Sequence, residues 1–158
     1  MENLQSLREH VARTLRGGQA YDTFEAIVAE FPSHRRGFAP PGSEHSAWQI
    51  LEHMRIAQRD ILDFTRNSDG SYKEMNWPDD YWPKSASPPD DFAWSKSVAA
   101  FQADRDAIEA LVLDEKTDLF APFPWGDGQT VLREALLSAE HAAYHLGQIV
   151  TLSQLVDA

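Results

Sequence analysis

His141 and His145 stand four residues apart in a stretch otherwise rich in alanine and leucine. In a helix that turns about 100° per residue they lie only about 40° apart, so both imidazoles face the same way and can reach one ion. Glu134 and Gln148, each seven positions from His141, extend the same stripe. An unpaired polar group on an apolar helix costs on the order of 1–3 kcal/mol, so the stripe must find partners. His53 is the natural third member, because it sits beside the apolar positions Ile50 and Ala57 of an earlier helical segment. Three imidazoles from two facing helices form a tripod with room left for water or substrate, the arrangement of a catalytic metal. A closed structural site needs a fourth ligand, and the sequence offers no evident one. The alternative from the same residues is a pair of hydrogen-bonded core histidines. The remaining histidines are set aside: His10 has polar neighbours, His34 adjoins Arg35 and Arg36 in a loop, and His45 precedes a helix cap.

These residues need helices to hold them, and helical periodicity runs almost throughout. Leu4, Leu7, Val11 and Leu15 form one stripe, interrupted by Gly17 and Gly18. Phe24, Ile27, Val28 and Phe31 mark a second short helix ending at Pro32, and residues 33–43, with Pro40, Pro41 and Gly42, read as a loop. Ser46 and Gln49 have capping-box spacing, opening a helix with Ile50, Met54, Ala57, Ile61 and Phe64 inward. Val98, Phe101, Ile108, Leu111 and Val112 fit a third long helix. The last, from Thr130 to about Leu155, is apolar on most sides and so belongs inside a bundle or in an oligomer contact. Between them, residues 71–90 crowd Trp77, Tyr81, Trp82 and several prolines into what reads as an ordered loop packed over the body. The expectation is one all-α domain over 1–158, a four-helix bundle with Pro- and aromatic-rich connections and no internal repeat.

Composition narrows the chemistry. No cysteine is present, which removes disulfides, thiolate ligands and a cysteine nucleophile, so a metal must be held by His, Asp or Glu. The net charge of -11 repels phosphate backbones and argues against nucleic acid as a partner. No run of about 18 apolar residues marks a membrane span, and MENLQSLREH lacks the pattern of a signal peptide, so a cytoplasmic location is expected.

The segments SAWQILEHMRIAQRDIL and EHAAYHLGQIV resemble the two signature regions of the DinB-like superfamily, named for damage-inducible bacterial proteins. The resemblance runs from the first helix to the end of the chain. It implies an up-down-down-up four-helix bundle holding a divalent metal, commonly zinc or nickel, on three histidines that match His53, His141 and His145. Members of the superfamily include transferases and isomerases that use low-molecular-weight thiols such as bacillithiol or mycothiol. The aromatic segment from Tyr72 to Pro89 departs from the generic pattern, and substrate does not carry over.

A divalent ion on neutral imidazoles keeps its full charge and lowers the pKa of a bound water or thiol. A thiol co-substrate also accounts for the missing cysteine, since the sulfur arrives with the small molecule. Glu134 and Gln148 are candidates to fix the histidine tautomers or contact a ligand. Trp48, Trp82 and Trp125 are candidates to wall the pocket, with core or loop packing as the alternative at each. Glu52 and Glu140 read as solvated charges. The expected function is a metal-dependent thiol transferase or hydrolase for a small organic molecule. Its alternatives are a non-enzymatic metal- or ligand-binding stress protein and a structural dimer with vestigial histidines. The apolar last helix fits a homodimer, and a buried position within a monomer accounts for it equally well.

Overall fold

A computed structural model describes residues 2–156. Helix α1, Glu2–Arg16, buries Val11, Ala12 and Leu15 and leaves Leu4 exposed. It stops where Gly17 and Gly18 both take left-handed φ values, +72° and +74°, a conformation that other residues adopt at a cost. The chain then re-enters α2, Phe24–Glu30, capped by the Thr23 hydroxyl accepting from the Ala26 amide. A single 3-10 turn, Ser33–Arg35, occupies the start of the following loop.

Helix α3, Ala47–Thr65, begins with the reciprocal capping box expected of Ser46 and Gln49. Helix α4 covers Ala93–Leu113 and α5 covers Val131–Val156. The four long helices pack on one another, α3 against α4 and α5, and α1 against the same two, with α2 docked on α5. No strand occurs among the described residues, and none of their helices is long and apolar enough to cross a membrane.

Two apolar clusters fill the interior. One, with Trp48, Leu51, Met54, Phe101, Leu146 and Ile149 among its members, lies towards the start of α3 and the end of α5. The other joins Val11, Leu62, Ile108, Val112, Leu119 and Ala135 at the opposite end. The α4 C-terminus is closed by a residue the hydrophobic pattern does not reveal. Arg8 is buried in the α1 stripe, and its guanidinium donates to the backbone carbonyls of Val112 and Thr117, both at 2.6 Å. Helix α5 is less enclosed than its composition suggests: Leu136, Tyr144 and Val150 are exposed.

Candidate metal centre

The Ser46 cap fixes where α3 starts, and this sets the face on which His53 falls two turns later. His53 is 2% exposed and His145 5% exposed, while His141 is half-buried. One ligand nitrogen from each of the three can be chosen so that all lie within 4.8 Å of one another. The spacing on α5 and the position on α3 therefore bring the three rings together.

Ring orientation is set by partners. His53 Nδ1 lies 3.0 Å from the Tyr81 carbonyl, which can only accept, so Nδ1 carries the proton and Nε2 the lone pair. That Nε2 is 3.0 Å from Nε2 of His141. Two nitrogens bound at about 2.0–2.1 Å to one ion, at angles from a right angle to the tetrahedral one, sit about 2.9–3.4 Å apart, so this pair has ligand spacing. His145 Nδ1 is 2.7 Å from Oε1 of Gln148, leaving its Nε2 as the third donor. The donor set is three neutral imidazoles, which suits zinc or nickel, and no carboxylate hydrogen-bonds to the rings among the described residues.

Burial makes the rings ready ligands. It pushes His53 down to about 4, against a smaller upward effect of the Tyr81 carbonyl. His141 is pushed down to about 3 by burial and by its two imidazole neighbours, and His145 is lowered for the same first reason. All three are uncharged at neutral pH, as coordination requires.

The aromatic segment between α3 and α4 packs directly over this centre. It supplies the Tyr81 carbonyl and, next to it, Trp82, whose ring stacks on His53 at 3.9 Å with 2° between planes. His45 stacks on Trp82 as well, at 3.8 Å, so the indole is held between two imidazoles. The segment is tied to the start of α3 by Ser46 donating to the Ala86 carbonyl and Gln49 donating to the Pro83 carbonyl, and to its middle by Tyr81 donating to Asp60.

The other residues singled out in the sequence distribute themselves around the molecule. Gln148 reaches His145 and Trp82 reaches His53, as described. Glu134 is buried, but its carboxylate accepts from Arg133, and it lines a separate cleft of about 560 Å³ with Tyr72, Tyr81 and Trp125. Desolvation raises its pKa despite the arginine. Trp125 stacks on Phe123 and donates to the Phe64 carbonyl. Trp48 belongs to the apolar core and touches none of the three rings as an aromatic partner. Glu140 is exposed as read, but Glu52 is not a solvated charge: it pairs with Arg55 and accepts from the Ser97 hydroxyl of α4, which holds its pKa below the usual carboxylate value in spite of burial.

Two contributors escape the sequence reading. The Tyr81 carbonyl has no sequence signal, because every residue has a carbonyl. His45 had one, a histidine next to a helix cap, but only the folded segment brings Trp82 onto it. His45 also lines a cleft of about 510 Å³ with Ile50, Tyr144, Gln148 and Leu152, beside the His145 end of the centre.

Fold and site together define an all-helical protein with a three-histidine cluster suited to a divalent metal. The family model of the DinB superfamily matches residues 16–149 of the 158, and the chain belongs to that family. Comparison with curated proteins and with solved structures gave no match.

Proposed function

We propose that this protein is a divalent-metal-dependent enzyme, a thiol transferase or a hydrolase, acting on a small organic molecule. The convergence of His53, His141 and His145 as neutral rings carries the reading. These residues would hold zinc or nickel, and a bound ion would supply Lewis-acid chemistry that acidifies a thiol or a water. The protein's own part is orientation and exclusion. The Tyr81 carbonyl and Gln148 fix the two outer tautomers, and Trp82 covers one ring face against solvent. The cleft beside Tyr144 and Gln148 has the size of an ordinary small-ligand pocket, with Ile50 and Leu152 offering apolar contact.

Thiol transfer is the stronger branch. A thiol with a pKa of about 8.5 needs less help from a bound ion to ionise than water does, and no carboxylate among the described residues hydrogen-bonds to the triad to assist as a general base. The same lack favours the second reading, a non-enzymatic metal- or ligand-binding stress-response bundle. The up-down-down-up order of the helices, a cytoplasmic location and a homodimer through the exposed residues of α5 complete the proposal. The test is to purify the chain without a histidine tag, load it with zinc or nickel, and assay thiol conjugation with a panel of low-molecular-weight thiols and electrophiles beside ester and amide substrates. Metal-dependent turnover lost in His145→Ala supports the enzyme. Stoichiometric metal with no turnover on any substrate selects the second reading.

A further inference from the structure

Most arginines here have an oxygen partner. Arg8 has two backbone carbonyls, and Arg16, Arg55, Arg59, Arg105 and Arg133 each have a carboxylate. Arg36 is half-buried and has neither through its side chain among the described residues, although acidic residues outnumber basic ones 25 to 14. Its Nε is buried with no hydrogen-bond partner, and its guanidinium lies over the Trp94 ring at 4.5 Å. A half-buried cation without a counter-charge calls for an acceptor from elsewhere.

Arg36 lines a cavity of about 870 Å³ between the loop that precedes α3 and the one that precedes α4. The two walls are in direct contact, since a Cβ on Gly37 would come 2.9 Å from the Cα of Ser87. Hydroxyls of Ser33 and Ser87 line the same space, and so do Asp90 and Asp91. Asp90 is partly used, accepting from the Phe92 amide and lying 4.0 Å from Lys96 Nζ. The Asp91 carboxylate has no hydrogen bond or ion pair among the described residues. Opposite charges thus share one cavity without pairing across it. A bare anion would meet Arg36 but also both aspartates and an overall charge of -11, and a bare cation would meet the arginine. A molecule with both charges satisfies both walls.

We propose that this cavity is a binding site for a small zwitterion carrying an α-amino-carboxylate group, its carboxylate on the Arg36 guanidinium and its ammonium on Asp91, with Asp90 beside it. The site is separate from the three histidines and does not require a metal.

The test uses three matched probes on the full chain: L-norleucine, hexanoate, which lacks the ammonium, and pentylamine, which lacks the carboxylate. Binding is followed by the NMR signals of the Trp94 indole N–H and the Arg36 Nε–H. L-norleucine is expected to shift both signals saturably, with each single-charge probe at least tenfold weaker. Arg36→Met should abolish the response, and Asp91→Asn, at an exposed position that leaves the fold intact, should reduce norleucine to the level of hexanoate. His141→Ala should leave binding unchanged, so failure of the metal centre and failure of this site read out separately. Hexanoate or pentylamine binding as tightly as norleucine overturns the proposal, as does no saturable norleucine response, or one unaltered in Asp91→Asn.

Discussion

The Nδ1 protons of His53 and His145 are committed to Tyr81 and Gln148, and that commitment, more than proximity, makes ligands of the rings. Gln148→Leu removes the acceptor that orients His145, and metal affinity is expected to fall about 10- to 100-fold, measured by competition with a chromophoric chelator. The lowered pKa values have a defined sign. Because His53 and His141 stay neutral down to about 4 and about 3, protons compete with metal only well below the ordinary histidine value of about 6.5. Zinc occupancy should therefore hold at pH 5.5 and fall towards pH 4, as read by dialysis and elemental analysis. Metal-free protein should behave differently: its unfolded state takes up protons from about pH 6.5 downwards while the folded rings do not, so stability falls between about 6.5 and 4. At this scale the sequence was informative where a side chain does the chemistry. His53, His141 and His145 could be read from type and spacing. The Tyr81 carbonyl could not, and Glu134, on the same helical stripe two turns away, accepts from Arg133 and lines a different cleft.

The start of α3 and the aromatic segment over the centre are joined at one residue. Ser46 does double duty, capping α3 by accepting from the Gln49 amide and anchoring the aromatic segment by donating to Ala86. Ser46→Ala is expected to destabilise the protein by roughly 1–2 kcal/mol in urea denaturation, and also to loosen Trp82 over His53, seen as faster metal release. Helix periodicity announced the long helices and the break at Gly17 and Gly18, because burial imposes a repeat that survives in the sequence. Loops carry no such repeat. Pro and aromatic crowding in residues 71–90 indicated order and coverage, but which backbone oxygen or ring met the histidines depended on long-range packing. Arg8 was hidden for a related reason, since a buried arginine at the end of another helix has no local signature.

For the molecule as a whole, the fold follows from the apolar faces, while association depends on what they leave outside. Leu136, Tyr144 and Val150 stay exposed on α5, and the proposed homodimer would cover them. Sedimentation velocity should show a dimer at micromolar concentration, with Leu136→Asp shifting it towards monomer; a monomer at all concentrations rejects the dimer and leaves the metal centre intact. The most direct test of the centre itself is X-ray absorption on zinc-loaded, tag-free protein, which counts the imidazoles around the ion. The expected result is one zinc per chain with three imidazole ligands, reduced to weak or absent binding in His141→Ala. A zinc shell with one imidazole or none, or the same shell after His53, His141 and His145 are all replaced by alanine, would contradict it.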